Sequence, residues 1–363
     1  MARAIAAERL AAVRSAAQLL HRPRGLSHPA DVAKAICGLQ AQDMRHGRLA
    51  FRARSATLRA SDVERARTEE RSLLHTWAMR NTLHLIATDD VPWLMPLLEP
   101  RLEAFARARL AQLGLERPDQ DRAIGVIAKA LEQDGPLSRT ELHQRLEARG
   151  VPMTPLRRGH LVGLSVATGV ACKGPALGAR TLLVRTPDWL PERPKHDRDA
   201  ALGELARRYI GAFGPAGERD FAKWSGLPLR DLRAGLATIG AELREVRIGG
   251  EAAWALGGRG RRPRGRVVRL LPAWDTYLMG YRDRSFMATP SYWRRISDGG
   301  GGIAPTIVLD GTAVGLWRPG RRDEQIVAKA SPFARLDPET GEAVDAEVAD
   351  VGRFEGPRPP RKK

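Results

Sequence analysis

The sequence predicts an α+β protein, mostly helical, built from three tandem winged-helix modules followed by a strand-rich C-terminal segment. Three observations predict it. An order of helix, helix, helix and hairpin recurs three times along the 363 residues. Two capping boxes, Ser61 to Glu64 and Ser138 to Glu141, each open a helical stretch. Near the C-terminus the apolar runs become short and close on Asp310-Gly311, a hairpin-turn pair.

Residues 3–20 fit one amphipathic helix, with Ile5, Leu10, Val13, Ala17 and Leu20 near helical spacing. Glu8, Arg9 and Arg14 interrupt its apolar pattern, which is unlike a signal peptide. Asp31 is a good N-cap for a second helix running through Val32, Ile36 and Leu39. "RLAFRARS" (48–55) reads as a short strand, and the stretch from Ser61 as a helix. "LLHTWAMRNTLHLIA" (73–87) alternates around Arg80-Asn81 and reads as the first wing. Residues 88–113 are helical, with Pro100 as a kink or boundary.

The order recurs with helices in 121–135, 136–150 and 156–169, then a hairpin in 170–184 turning on Gly174-Pro175. The Pro- and charge-rich 188–199 is a linker. A third set places helices in 200–214 and 217–240, and pairs "LREVRI" with "AAWAL". The resulting modules are 1–118, 119–196 and 197–265, then a β-rich segment 266–350 and a disordered basic tail 351–363.

Sixty basic residues stand against forty-two acidic ones, a net charge of +18. A GC-rich coding bias explains arginine replacing lysine, but not the excess, so a polyanionic partner, nucleic acid first, is expected. "GGRGRRPRGR" (257–266) carries Arg259, Arg261, Arg262 and Arg264 without an acid, and reads as a flexible arm for phosphates. Arg45, Arg80 at the first hairpin tip, and Lys173 and Arg180 flanking the second turn are further candidate DNA contacts.

The two cysteines, Cys37 and Cys172, and the eight scattered histidines offer neither a disulfide framework nor metal-ligand spacing. No metal, no cofactor and no membrane span are expected, and the cytoplasm, in association with the nucleoid, is the expected location. No Gly-x-Ser-x-Gly elbow, Walker loop or dinucleotide fingerprint is present. Asp89-Asp90 sits at a helix start, where acids are simply stabilising.

"GLQAQD" (38–43) sets Gln40 and Gln42 around one alanine. On a helix, residues two apart point about 200° apart. In extended backbone they project to one side. The two amides converge only if the helix ends near Leu39. A polar helix end with both amides in water satisfies the spacing equally.

Several segments resemble the AlkZ/YcaQ family of bacterial DNA glycosylases: "GLQAQD", "HTWAMRNTLHLI", "RRYIGAFGPAGERDFAKWSGL", "LLPAWDTYLMGYRDR" and "IVLDGTAVGLWR". The resemblance spans nearly the whole chain, and "AFGPA" with "DFAKWSGL" is its most specific part. It implies three winged helices forming a basic C-shaped cradle for duplex DNA. It also implies a Gln-x-Gln catalytic motif, here Gln40 and Gln42, of the AlkZ-like type; Asp43 lies one position too late for the Gln-x-Asp type.

The implied reaction is hydrolysis of the N-glycosidic bond of N7-alkylated purines by a monofunctional, monomeric enzyme. The same implication extends to unhooking interstrand crosslinks and to resistance against DNA-alkylating genotoxins, including self-resistance in a toxin producer. Gln42 would position the attacking water and Gln40 would support it or contact the lesion. Asp43, Asp275 and Tyr277 are candidates for the lesion pocket, Asp275 and Tyr277 being equally readable as a capped buried acid and a core tyrosine. The rival reading is a non-catalytic winged-helix DNA-binding protein or transcription regulator.

Overall fold

The computed structural model describes residues 3–23, 25–177, 180–190, 192, 194, 196–257, 266–322 and 325–356. The first group of elements is β1 (Arg3–Ala4), α1 (Ala7–Ala17), α2 (Pro29–Ile36), β2 (Leu39–Gln40), α3 (Met44–Arg54), α4 (Ala60–Thr68), β3 (Leu73–Trp77), β4 (Leu83–Ala87) and α5 (Val91–Gln112). The second comprises α6 (Arg117–Asp134), α7 (Arg139–Ala148), α8 (Pro155–Ala167), β5 (Ala171–Leu177), β6 (Arg180–Arg185) and α9 (Thr186–Trp189). The third comprises α10 (Arg198–Phe213), α11 (Glu218–Ser225), α12 (Leu229–Thr238), β7 (Leu243–Ile248) and β8 (Glu251–Leu256). The C-terminal group is β9 (Val268–Leu271), α13 (Thr276–Met279), α14 (Pro290–Ile296), β10 (Thr306–Leu309), β11 (Thr312–Arg322), β12 (Gln325–Pro332) and α15 (Pro338–Glu355).

Residues 3–20 are not one helix. β1 adds in parallel to β7, Arg3 beside Val246, and Ile5 continues the contact by donating its N–H to Arg247 O at 3.2 Å. "RLAFRARS" belongs to the helix α3 and not to a strand. Its apparent alternation comes from Arg52 and Arg54, which are buried at 0 % exposure because carboxylates far along the chain receive them. Pro100 is no boundary, since α5 runs through it. Gly174-Pro175 is not the turn: it lies inside β5, where the register shifts, and β5 and β6 are paired out to Leu177 with Arg180. The C-terminal segment also holds α15, whose Val351 and Phe354 are buried, so helix replaces the expected tail as far as Glu355.

One core joins residues from α1 through the first part of α5 to the third group and the C-terminal sheet. A second, smaller core packs Ala106, Leu110 and Leu115 with α6, α7, α8 and the hairpin β5–β6. The C-terminal sheet has the order β12-β11-β10-β9, and Asp310-Gly311 makes its expected turn at positive φ of 51° and 87°. Two buried ion-pair systems tie this sheet to α3. Arg52 meets Glu347 and Asp350 of α15 at 2.9 Å each, and donates to Leu270 O of β9 at 2.5 Å. Arg54 grips Asp275 with both terminal nitrogens at 2.8 Å.

Candidate active site

The helix before the two glutamines stops where convergence requires it. α2 ends at Ile36, Cys37 turns left-handed at φ 57°, and Gly38 follows at φ 91°. Gly38 is needed there because positive φ is cheap only without a side chain, and an added Cβ would meet Ile86 Cγ2 at 2.9 Å. The chain then becomes extended as β2, central to nothing but paired with β4 in the order β2-β4-β3. Gln40 stands opposite His84, and His84 opposite Thr76. β2 ends at Gln40 and the chain bends at Gln42 and Asp43, so the strand alternation expected for the pair covers only the first of them.

The ladder between β2 and β4 breaks at the next rung. Ala41 N–H donates to Leu83 O at 2.7 Å. In an antiparallel pair Leu83 N–H would return to Ala41 O. Two side chains take that rung apart instead. Leu83 N–H donates to Gln42 Oε1 at 2.6 Å, and His75 Nε2 lies 3.0 Å from Ala41 O. Gln40 Oε1 accepts from Arg80 Nη2 at 2.8 Å, while Arg80 Nη1 donates to Trp224 O at 2.7 Å.

These partners fix both amide orientations. A guanidinium and a backbone N–H only donate, so the atoms facing them are carbonyl oxygens. Each glutamine therefore turns its amide nitrogen away from its fastened oxygen, and no hydrogen bond from either nitrogen is found among the described residues. Each carbonyl keeps a second lone pair. Gln40 is 3 % exposed, whereas Gln42 is exposed.

The titratable groups beside the glutamines are neutral or already committed. Burial, with the charge of Lys173 next, pushes His75 down to about 3. Burial and the charge of Arg80 do the same to His84. Because Ala41 O can only accept, neutral His75 carries its proton on Nε2. Asp43 caps α3 by accepting His46 N–H at 3.1 Å and stays exposed. Arg80, in the left-handed conformation at φ 55°, is lowered to about 10 by burial and then by Arg284, and so remains a cation.

Trp224 O reaches Arg80 from an aromatic stack. Tyr209 lies on Phe213 and Phe221 with centroids 4.9 and 4.5 Å apart, and meets Trp224 at 5.0 Å. These residues belong to "RRYIGAFGPAGERDFAKWSGL", so that segment builds a support for the glutamine site. Gly226 ends α11 at φ 77°, and an added Cβ there would stand 3.2 Å from Arg80 Cα and N.

Other expected positions fall elsewhere. Asp275 and Tyr277 do not line a pocket: they are 1 % and 0 % exposed. The Asp275 carboxylate is spent on Arg54 and the Tyr277 N–H, and the Tyr277 hydroxyl donates to Gly311 O at 2.8 Å. Arg80 is no hairpin-tip phosphate contact but an internal strut. Arg45 pairs with Glu355 at 3.1 Å. Lys173 is not at a turn; it lies over Trp77, 4.9 Å from the ring centroid, with Nζ 3.4 Å from His75 Nδ1. Arg180 is exposed on β6. Arg259, Arg261, Arg262 and Arg264 lie outside the described residues. Among the described residues no group of three His, Cys, Asp or Glu could hold a metal ion, and no helix is long and apolar enough to cross a membrane. The sequence reading missed His75, His84 and the Trp224 carbonyl; a histidine in each arm of the hairpin "HTWAMRNTLHLI" was the available signal.

Comparison with known proteins gives the family and the overall fold. The family model described as "DNA glycosylase AlkZ-like" matches residues 33–354. A Streptomyces sahachiroi protein named "Interstrand DNA cross-link repair glycosylase" is 30 % identical over 365 residues, covering 92 % of each chain. The solved structure of Streptomyces sahachiroi DNA glycosylase AlkZ superposes with a TM-score of 0.76 at 26 % identity, covering 98 % of this chain and 99 % of that one.

Proposed function

The chain belongs to the AlkZ-like family of DNA glycosylases, and we propose that it hydrolyses the N-glycosidic bond of N7-alkylated purines in duplex DNA, with Gln40 and Gln42 as catalytic residues. The observation that carries this is the fixed orientation of the two amides, one at the end of β2 and one in the bend after it, beside neutral imidazoles. Gln42, the exposed one, uses its second carbonyl lone pair to accept a hydrogen bond from the attacking water. Gln40 offers its amide N–H to the departing base, whose ring nitrogens gain electron density as the bond breaks. Neither group is a strong acid or base, so the contribution is positioning and preorganised polarity.

The preference for N7-alkylpurines follows from the leaving group. A cationic N7-alkylpurine departs as a neutral base and needs no proton. The printed name of the Streptomyces sahachiroi relative supports extending the substrates to interstrand crosslinks. Resistance to alkylating genotoxins is the physiological role that fits such lesions. The three helix-and-hairpin groups are read as winged-helix modules that cradle the duplex, the protein acting as a monomer in the cytoplasm.

The test is incubation with a duplex carrying a single N7-methylguanine, without added metal, followed by detection of free base and abasic sites. Release by the wild type, lost in Gln42→Ala and strongly reduced in Gln40→Ala with DNA affinity retained, is the expected result. Binding without release would favour a non-catalytic regulator, and full activity in the double alanine variant would sink the assignment of the two glutamines. A duplex joined by an N7–N7 crosslink tests the extension separately.

A further inference from the structure

A cavity of about 370 Å³ lies between α7 and the hairpin β5–β6, lined in part by Arg139, Thr140, Lys173, Arg180 and Thr181. No carboxylate lines it, and neither Arg139 nor Arg180 is ion-paired among the described residues. The nearby carboxylate, Glu141, is engaged by the Ser138 N–H at 2.7 Å as a helix cap. Three basic side chains with the hydroxyls of Ser138, Thr140 and Thr181 around a concave space are a site for one tetrahedral oxyanion. Its inner wall reaches the candidate active site. Lys173 Nζ stands 3.4 Å from His75 Nδ1, and His75 Nε2 holds Ala41 O, between Gln40 and Gln42.

We propose that this cavity binds one backbone phosphodiester of the DNA and that Lys173 and His75 transmit its occupancy to the glutamine strand, with His75 as a positioning residue. The transmission rests on the reading of Gln40 and Gln42 as catalytic; the phosphate site does not. The broken rung supplies the mechanism. With its proton on Nε2, His75 presents a bare Nδ1 that can only accept, and Lys173 as an ammonium donates to it. A phosphate held by Lys173 keeps that ammonium charged and in place, so the imidazole keeps its tautomer and its grip on Ala41 O. Without His75, Ala41 O is free to recapture Leu83 N–H, close the ordinary ladder and displace the Gln42 carbonyl.

The ammonium is costly when the cavity is empty. Burial, then Arg139 of α7 and Arg67 of α4, lower Lys173 to about 7. His75 of β3 faces it as a neutral ring, and Arg180 of β6 lines the same cavity. Phosphate binds only the charged form, so this contact takes up a proton and weakens as pH rises from 7 to 9.

Binding of undamaged duplex across a salt series tests the site. Arg139→Ala/Arg180→Ala weakens binding and lowers the slope of log K against log[salt] by about 0.9, the contribution of one phosphate. An unchanged slope and affinity overturn the site. Lys173→Arg, always charged, flattens the pH dependence of binding between 7 and 9; a dependence identical to wild type overturns the part assigned to Lys173. Inorganic phosphate at matched ionic strength is the control: displacement of duplex from the wild type beyond that by chloride, lost in Arg139→Ala/Arg180→Ala, is expected, whereas phosphate that binds the wild type and leaves duplex affinity unchanged makes the cavity a free-phosphate site and overturns the DNA assignment.

The relay is tested by single-turnover excision at saturating DNA. His75→Phe slows excision at least tenfold with unchanged DNA affinity, and His75→Gln, which can still donate to Ala41 O, restores most of the rate. An unchanged rate in His75→Phe, or equal losses in both variants, overturns the relay. If the wild type releases no base, the glycosylase reading fails, while the salt series still judges the phosphate site.

Discussion

The sharpest consequence of the site concerns Arg80. Its guanidinium is the only described group bonded to the Gln40 carbonyl, at 2.8 Å, and it ties that carbonyl to Trp224 O on α11. Arg80→Met removes both bonds while keeping an unbranched side chain of similar reach. The Gln40 oxygen, on a residue 3 % exposed, then lacks its donor. A buried acceptor left alone costs about 1–3 kcal/mol. If Gln40 must hold its orientation in the transition state, that cost enters the barrier and slows excision by about 5- to 150-fold at 1.36 kcal/mol per decade. Stability should move less, because the wild-type cation is itself penalised by burial, which lowers it to about 10. Arg80→Lys keeps the charge and loses the planar fork, so its rate should fall between the two. Single-turnover release of N7-methylguanine at saturating enzyme is the assay, with thermal unfolding as the control. An Arg80→Met rate within twofold of wild type, with unchanged unfolding, would refute the claim that this strut orients Gln40.

Gly226→Ala forces a side chain onto a residue at φ 77°, 3.2 Å from Arg80 backbone atoms; it should destabilise by about 1 kcal/mol or more and lower excision with it, read by denaturant unfolding and single-turnover rate. Asp275→Asn breaks a pair in which both side chains are fully buried, so a loss of about 3–5 kcal/mol is expected by the same unfolding measurement, with no role for Asp275 in lesion contact. Acid should loosen α15 first. Burial raises Glu347 and Asp350, but Arg52 and Arg22, with Arg269 also acting on Glu347, outweigh it and leave both below their ordinary values of 4.5 and 3.8. Depressed carboxylates stabilise at neutral pH and lose that contribution as pH falls below those values, so unfolding midpoints should drop from about pH 4.5 downward, and less steeply in Arg52→Met.

How much of this was legible in the sequence depends on the distance over which each residue finds its partner. Local signals carried the capped helix at Ser138, the Asp310-Gly311 turn and the Arg80-Asn81 hairpin, because caps and turns are satisfied within a few residues. The caps expected at Ser61 and Asp31 lie inside their helices, α4 starting after Arg59, whose N–H Asp62 accepts, and α2 after His28. Local signals failed at α3, where Arg52 and Arg54 look like the polar half of a strand until Glu347 and Asp275, more than two hundred residues on, accept them. The helix stop before Gln40 was deduced from i, i+2 geometry and met by Cys37 and Gly38. What fastens the glutamines was not deducible. Arg80 reads as an exposed tip from the hairpin alone and becomes internal only when α11 covers it.

The charge placement around the glutamines also explains why so weak a pair could discriminate damaged from undamaged purines. In the proposed reaction on an N7-alkylpurine, the positive charge already sits on the base and moves a few ångströms to the sugar as the bond breaks. No charge is created, so the enzyme need supply neither a general acid nor a strong counter-anion. An undamaged purine would have to leave as an anion and create a cation beside it. The groups that could protonate that anion are missing where they would be needed: His75 and His84 are held neutral by burial, and Asp43 is turned to its helix cap. Restoring an acid should therefore relax the specificity where removing a glutamine only slows the enzyme. Gln40→Glu would meet Arg80 as an ion pair, stay deprotonated and donate to nothing, so its excision of N7-methylguanine should fall towards that of Gln40→Ala. An unmodified purine should remain uncleaved in both.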